Sequence, residues 1–596
     1  MNTPKKCVSL LVFRVCRSVC LFCLASVTSA IVAERPNILL IQADDLGYSD
    51  LGIHGNTSIQ TPNLDRLGHE SLRFDRFYVH PLCAPTRASL LAGKHFWRTG
   101  VYGVHAGMDF MNLEETTVAE VLRDAGYRTG MWGKWHSGKT DGYYPWDRGF
   151  EEAYMAELYD YEDNLGMLNG KLTPAQGWTP AVLTDYALNF MARDSDQPFF
   201  AYVSYLSPHG PWTAPSDYIA PYRSRGFTKH AATLFGMITH MDHHIGRLLD
   251  GVDELGLRRS TLVIFLSDNG PARRVKGQPI TEKEWEQRVA PLDLRGHKSS
   301  PYENGIRSPF FLRWGDQLKP GTNGSLLCVM DILPTLAELG NGRTPEDLDG
   351  RSFASLLKNP EAQWPERTLH FSSSHPKLPE GMSRQDTPLD KAAIPAHLQL
   401  LTVMSDDYKF LKQGDNRELF NLQYDERERN NLATEQPEKV ALLRTSADDW
   451  FEGILEDPGS FTRPLLLIGR EGKLRTVFPA FCLAESKGGL QNSNHSLDNW
   501  KNPGDTAVYN LEIQTPGNYA VGVEFKSAVN RSTRLEIEVG DKKIECIPSG
   551  INRGGILKST HSIHLGKGRN TLAVRLATPL DSPMSMTAIS MIRVSD

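Results

Sequence analysis

The chain has 596 residues, more than one hydrophobic core organises, and at about 100–200 residues per domain it divides into roughly three or four structural units. Hydrophobic residues make up 40% and charged residues 23%, the balance of an ordinary globular protein. A formal net charge of −6 gives no global attraction to nucleic acid or to an acidic membrane surface, so an anionic substrate has to be held by a local basic cluster.

At the N-terminus, Lys5, Lys6, Arg14 and Arg17 precede an apolar run from Val19 to Val27 and the small residues Ser29 and Ala30. This reads as a signal peptide over 1–33 and predicts export to the periplasm or beyond the cell. Its apolar core is too short to span a membrane, and no later run approaches about 20 apolar residues, so no integral span is expected in the mature chain. Of eight cysteines, Cys7, Cys16, Cys20 and Cys23 fall in the removable segment. Cys83, Cys328, Cys482 and Cys546 remain, and the last two, both in the final unit, are a candidate disulfide.

The first predicted strand, Asn37–Ala43, is an apolar run that ends in adjacent carboxylates, Asp44 and Asp45. Next, Cys83-Ala84-Pro85-Thr86-Arg87 opens a predicted helix that Gly93 stops, with Arg87 one turn beyond the thiol. A helix start with a guanidinium beside it attracts an anion. Taken alone, Cys83 reads first as a buried structural cysteine. A helix over Thr117–Ala125 leads to the strand Arg128–Gly133, which delivers Lys134 and His136, two apart on an extended segment and so on one face. The strand Pro198–Tyr205 hands over to a loop with His209. The stretch Leu234–Leu249 is an amphipathic helix whose His240, His243 and His244 read as packing or solvated groups. The strand Thr261–Ser267 then ends in Asp268-Asn269-Gly270. Ligands in open α/β sheets bind at the carboxyl ends of strands, and two such ends offering four oxygen-bearing side chains suit Ca2+ or Mg2+.

Residues 274–295 are charged and lack clear periodicity, and read as an insertion loop near the site mouth. Short strand signals occupy 367–410, and a last helix runs to about Phe451. The chain thus divides into a catalytic unit at 34–365, a small α+β subdomain at 366–455, a linker at 456–471 and a unit at 472–596 whose strands alternate with turn signals, an all-β sandwich.

Cys83-x-Pro85-x-Arg87 followed by Ala88-Ser89-Leu90-Leu91-Ala92-Gly93 resembles the signature of the formylglycine-dependent type I sulfatases, in the alkaline phosphatase superfamily. The resemblance extends over about 35–435, through Gly133-Lys134-x-His136 and the segment from Lys298 to Pro309, which carries one extra residue between Lys298 and Tyr302. The unit at 472–596 separately resembles, by its strand pattern, the galactose-binding-type jelly rolls appended to carbohydrate-active enzymes, while the sulfatase resemblance itself implies an alkaline-phosphatase-like α/β fold, a central mixed, mostly parallel sheet flanked by helices. It also implies that a formylglycine-generating enzyme or an anaerobic maturase oxidises Cys83 to formylglycine. Asp44, Asp45, Asp268 and Asn269, with modified Cys83, would hold one metal, usually Ca2+, with Mg2+ as the alternative. Arg87 and His136 would hold the aldehyde hydrate, Lys134 and Lys298 the sulfate, and His209 would protonate the leaving oxygen. Glu303 and Arg307 would be structural, and His297 is the alternative to Lys298 in a shifted register.

The expected function is hydrolysis of sulfate monoesters, on a sulfated glycan or oligosaccharide given the export signal and the appended sandwich. Two other readings remain at this point, a phosphate ester hydrolase of the same superfamily and a non-catalytic polysaccharide-binding protein. Tyr48, His54, His105, Asp160, Tyr161 and Trp212 are candidates to line the pocket.

Overall fold

The apolar run Asn37–Ala43 is the middle strand of the main sheet because both of its faces are covered. Ile38 and Leu40 enter one core and Leu39 and Ile41 another, all four fully buried. A strand buried on both faces carries no polar alternation, which is why it reads as a continuous hydrophobic run. The computed structural model describes residues 35–594 except 291, 374, 379–390, 528 and 550–554. The leader at 1–33 lies outside the described residues, and among those described no helix is long and apolar enough to cross a membrane.

Four parallel strands lie side by side in the order Thr261–Ser267, Asn37–Ala43, Phe199–Ser204 and Arg128–Gly133, within a sheet of ten strands. Their registers pair Ala43 with Ser267, Gln42 with Ser204 and Ser204 with Gly133, so the four carboxyl ends are level. Phe310–Arg313 runs antiparallel beside Thr261–Ser267, which makes the sheet mixed. The helices Cys83–Ala92, Val118–Asp124 and Ile332–Leu339 cover one face, and Thr179–Met191 and the 26-residue Lys229–Glu254 cover the other. In the long helix His240 and His244 are buried against one another, 3.1 Å apart at their Nε2 atoms, while His243 is exposed.

A four-stranded antiparallel sheet follows, Thr368–Ser372, Leu401–Ser405, Tyr408–Gln413 and Asn416–Asn421, with the helix Pro437–Glu456 against it. Among the described residues the C-terminal unit is one 13-stranded sheet, antiparallel apart from one pair, around its own core. That parallel pair joins Thr506–Ile513 to Leu465–Ile468, a strand inside the stretch read as a linker. The sandwich alternation is visible in Thr506–Ile513, where Tyr509, Leu511 and Ile513 face inward.

One open question is answered and one expectation is corrected. Cys482 and Cys546 are not a disulfide: both thiols are free and buried, Cys546 against the Val521 carbonyl at 3.7 Å and Cys482 near Asp109. Residues 274–295 are not all loop, since Glu282–Val289 is a helix capped by Thr281, whose hydroxyl accepts from the Glu284 amide while the Glu284 carboxylate accepts from the Thr281 amide. That Thr-x-x-Glu capping box was present in the sequence. The helix buries Arg288, which pairs with Asp50 at 2.8 Å and so fixes the loop just after Asp44 and Asp45.

Beneath the helix Cys83–Ala92 lie three neutral histidines. His80 contacts Ser89 Oγ at 2.9 Å and packs on His95; His95 and His370 both pack on Trp450 of the last helix of this region. Burial pushes His80 down to about 3 and His370 to about 4, and lowers His95 well below its ordinary value. Unfolding therefore takes up protons below about pH 6.5, so this stability is complete above that pH and is lost as pH falls towards the folded values. The thermal midpoint is expected to drop between pH 6.5 and 4, with each ring contributing at most about 1.4 kcal/mol per pH unit. A flat midpoint across that window would contradict the neutral, buried state of these rings.

Candidate active site

The level strand ends bring six site residues to one place. Asp44 and Asp45 leave the first strand, Asp268 and Asn269 leave its neighbour on one side, and Lys134 and His136 follow Gly133 two strands away. The tight exit needs glycine at two points. A Cβ on Gly270 would lie 1.8 Å from the Asn304 carbonyl, and one on Gly133, at φ +121°, would lie 1.8 Å from the Ser204 carbonyl. Asp45 (φ 69°) and His136 (φ 60°) hold left-handed backbone without being glycine, a strain that gathers at functional positions.

Cys83 begins the buried helix Cys83–Ala92, after the extended residue Leu82 and two positions before Pro85, and Gly93 ends it at φ 66°. Burial pushes the Cys83 thiol up, against the pull of Lys134 and Lys298, so the unmodified side chain is a thiol and not a thiolate nucleophile.

Three carboxylates crowd the site. One oxygen each of Asp44, Asp45 and His209's ring nitrogen lie within 4.8 Å of one another, as do atoms of Asp44, Cys83 and Asp268. Burial and the charge on Asp44 raise the Asp268 carboxyl, whereas Lys298, His209 and the Asn269 amide outweigh burial and hold Asp45 low. The Asn269 amide nitrogen donates to Asp45 Oδ1 at 2.8 Å, which turns Asn269 Oδ1 inward. That oxygen and Asp44 Oδ1 are buried and have no hydrogen-bond partner. Two orphaned oxygens from two strand ends, within an all-oxygen set of side chains, are the donor arrangement a hard divalent cation takes.

Cations surround these acids. Arg87 is fully buried; it donates to Asp268 Oδ2 at 2.7 Å, to Ser204 Oγ at 2.5 Å and to the Lys134 carbonyl at 3.2 Å. Lys134 Nζ lies 2.7 Å from Asp44 Oδ2, and Lys298 Nζ 2.6 Å from Asp45 Oδ1. The extra residue after Lys298 is absorbed by Ser299 at φ 71°, whose amide donates to the Pro81 carbonyl, so Lys298 still reaches the carboxylates. His297 turns away towards Trp285. Glu303 is buried between Lys409 (3.0 Å), Arg307 (3.8 Å) and the Tyr78 hydroxyl (3.2 Å), which anchors this segment from below.

The two histidines have defined ring orientations. His136 Nε2 lies 2.7 Å from the Val104 carbonyl, to which its proton is directed, and Nδ1 is left buried without a partner. His209 Nδ1 lies 2.6 Å from the Gly210 carbonyl, so Nε2 faces Asp45 at 3.9 Å. The Tyr161 hydroxyl donates to the His209 carbonyl at 2.5 Å and fixes that loop.

Other expected pocket residues divide. His105 lies beside His136, with rings 5.8 Å apart, but Tyr48 and His54 stack on each other next to Phe311, and Trp212 is buried in the core. Two residues that sequence reasoning missed belong here. Ser204 holds Arg87, and Asp109 lies 3.7 Å from His136 Nε2, where burial pushes its carboxyl up to about 7. Asp109 follows no strand or helix signal; only the fold brings it to His136.

A protein-family model described as Sulfatase matches residues 36–342. Human arylsulfatase A is 35% identical over 398 residues, 60% of this chain and 75% of that protein. The N-acetylgalactosamine-6-O-sulfatase of Bacteroides thetaiotaomicron is 27% identical over 493 residues, 69% of this chain and 92% of that protein. Among solved structures, Ps i-CgsB in complex with k-i-k-neocarrahexaose superposes with a TM-score of 0.60 at 24% identity, covering 72% of this chain and 95% of that one, a likeness of fold.

Proposed function

Because the chain belongs to the sulfatase family, as a type I sulfuric ester hydrolase of the alkaline phosphatase superfamily, we propose that it is an exported enzyme acting on a carbohydrate sulfate. In this reading a maturation enzyme oxidises Cys83 to formylglycine, and Asp44, Asp45, Asp268 and Asn269 hold a divalent cation, Ca2+ or Mg2+. The catalytic unit is 34–365 with its subdomain at 366–455, and the appended β-sandwich begins with the strand Leu465–Ile468, inside the stretch read as a linker. One observation carries the assignment of the site: Lys134, Lys298, Asp44 and Asp268 surround the Cys83 side chain, and two buried oxygens of the same strand ends, Asp44 Oδ1 and Asn269 Oδ1, have no partner. A sugar substrate is supported by the N-acetylgalactosamine-6-O-sulfatase likeness.

The chemistry follows from what sulfate ester cleavage demands: a nucleophile, cations for the non-bridging oxygens and a proton for the leaving oxygen. Hydrated formylglycine at 83 presents two hydroxyls. One loses its proton to water and attacks sulfur, and the S–O bond to the sugar breaks as that oxygen takes the Nε2 proton of His209 in its imidazolium form, which burial opposes and the Asp45 carboxylate at 3.9 Å favours. The second hydroxyl then gives its proton to His136 Nδ1; its electrons re-form the aldehyde and expel sulfate. A serine would stop after the first step, because it has no second hydroxyl. A bound cation would lower the pKa of the attacking hydroxyl and polarise a sulfate oxygen. Arg87 holds the start of the helix rigid through Asp268 and Ser204, while Lys134 and Lys298 are placed to share their charge with sulfate.

The reading is tested by free sulfate release from carrageenan, ulvan and chondroitin sulfate oligosaccharides, using protein co-expressed with a maturation enzyme and Cys83→Ala as control. Release from one of them, absent in the control, is the expected result. No release from any glycan, with the peptide around position 83 shown by mass to carry the aldehyde, would refute the carbohydrate assignment.

His209→Ala provides a separate check on the acid. Its turnover is expected to fall about 10²–10⁴-fold on a sugar sulfate, whose alkoxide leaves only with a proton. On 4-nitrophenyl sulfate, whose phenolate leaves readily, the loss should be less than about tenfold. Equal losses on both would remove His209 from the acid role.

A further inference from the structure

A cavity of about 330 Å³ opens beside the candidate site, with one wall from the catalytic unit and the other from the C-terminal sandwich. His105, Lys139 and Tyr159 form the first wall; Phe481, Asn494 and His495 belong to the second. The cavity begins where the site ends. His105 lies beside His136, and the Tyr159 ring is 5.5 Å from that of His209, so both histidines of the candidate site have a neighbour in the cavity wall.

The sandwich wall is held in place. Asn492 Nδ2 donates to the Ala106 carbonyl of the catalytic unit and to the Phe481 carbonyl, each at 3.1 Å, and so links the two walls directly. Thr140 Oγ1 donates to the Val477 carbonyl at 3.1 Å, and the Tyr143 hydroxyl both donates to the Leu465 carbonyl and accepts from its amide. Phe110 and Tyr143 pack within the apolar core of the sandwich itself. Gly107 permits the approach, since a Cβ there would lie 2.8 Å from the Phe481 carbonyl. A module docked in this way is a fixed part of the cleft and not a tethered accessory.

We propose that this cavity is a subsite for the sugar residue next to the sulfated one, and that the sandwich, through Asn494 and His495, selects oligosaccharides over smaller sulfate esters. This rests on the carbohydrate sulfatase reading above and adds a place for a second sugar. The wall chemistry matches the ligand. The rings of Tyr159 and Phe481 present apolar faces to sugar C–H groups, while the Asn494 amide, the imidazoles and the Lys139 ammonium offer hydrogen bonds to hydroxyls. The volume, at the low end of the roughly 300–1,000 Å³ of small-molecule sites, suits a single ring and not a long chain segment. Asn494 and His495 are exposed, so replacing them removes contacts to ligand without opening a core.

The test uses the matured full chain, its Asn494→Ala, His495→Ala and double variants, and the sulfated monosaccharide and tetrasaccharide of the carrageenan, ulvan or chondroitin sulfate that wild type desulfates. Thermal midpoints confirm folding. The expected result is that wild type prefers the tetrasaccharide. In the double variant the ratio of kcat/KM for tetrasaccharide over monosaccharide should fall at least about tenfold, mainly through KM, the scale of hydrogen bonds lost to a bound ligand. A ratio within about twofold of wild type in all three folded variants would overturn the subsite and leave the carbohydrate reading intact. Turnover of 4-nitrophenyl sulfate with every glycan inert would overturn both.

Discussion

Cys83→Ser is expected to give a folded protein that does not turn over. The side chain sits at the first position of a buried helix, and exchanging sulfur for oxygen there leaves the neighbours Asp44, Lys134 and Lys298 with a small polar group in the same place. The fold should therefore persist, with a thermal midpoint close to wild type. Turnover should fall by at least about 10⁵-fold, the scale reached when the covalent nucleophile of a hydrolase is removed. Serine can still attack sulfur once, so a second signature is expected: the peptide around position 83 gains the mass of one sulfate group after incubation with substrate. Cys83→Ala should lose turnover equally and gain no mass. A serine variant with near wild-type rate would refute the hydrate mechanism, because one hydroxyl has no route to expel sulfate. The same logic covers wild type that never meets a maturation enzyme, since burial keeps its thiol protonated and unreactive.

The part of this site legible in the sequence is the part carried by buried parallel strands. Ile38–Ile41 and Leu262–Leu266 read as apolar runs because both sheet faces are covered, and the polar residues that follow, Asp44, Asp45, Asp268 and Asn269, mark the ends where such sheets bind ligands. Local signals at Pro85 and Gly93 likewise fixed the bounds of the Cys83 helix. What was not legible depends on contacts between distant segments. Nothing near Asp109 in the chain announces that a loop will carry it to His136, and nothing near Ser204 announces a bond to Arg87. Cys482 and Cys546 show the same limit from the other direction. Two cysteines in one β unit suggest a pair, yet both are free thiols buried in the same core, Cys482 near Asp109 and Cys546 against the Val521 carbonyl. The helix Glu282–Val289 was missed for a different reason. Its Thr281–Glu284 capping box is a local signal, but a charged eight-residue helix offers too few apolar positions for periodicity to show.

Removing divalent cations with EDTA is expected to abolish turnover and to lower the thermal midpoint, and both should return with added Ca2+. The second readout matters because it reports on the site independently of chemistry. Asp44, Asp45 and Asp268 are buried together, and Lys134, Lys298 and Arg87 compensate their charge, yet Asp44 Oδ1 and Asn269 Oδ1 remain without partners. Buried polar atoms left in that state cost about 1–3 kcal/mol each, a cost that an ion bound between them would offset. A cation present at about 100 times its Kd would stabilise the folded state by about 2.7 kcal/mol. Asn269→Ala separates this from a general effect of calcium on the surface. It deletes one orphaned oxygen and leaves the Arg87–Asp268 pair in place, whereas any change at Asp268 would strand a buried guanidinium. In Asn269→Ala the midpoint shift on adding Ca2+ should shrink, with turnover needing more ion. If instead chelation moves neither turnover nor midpoint in wild type, the four side chains hold no exchangeable ion. Mg2+ in place of Ca2+ distinguishes the two metals. Mg2+ demands a near-octahedral set and keeps several waters, whereas Ca2+ accepts an irregular set of protein oxygens, so ligands drawn from two separate strand ends favour restoration by Ca2+ at the lower concentration.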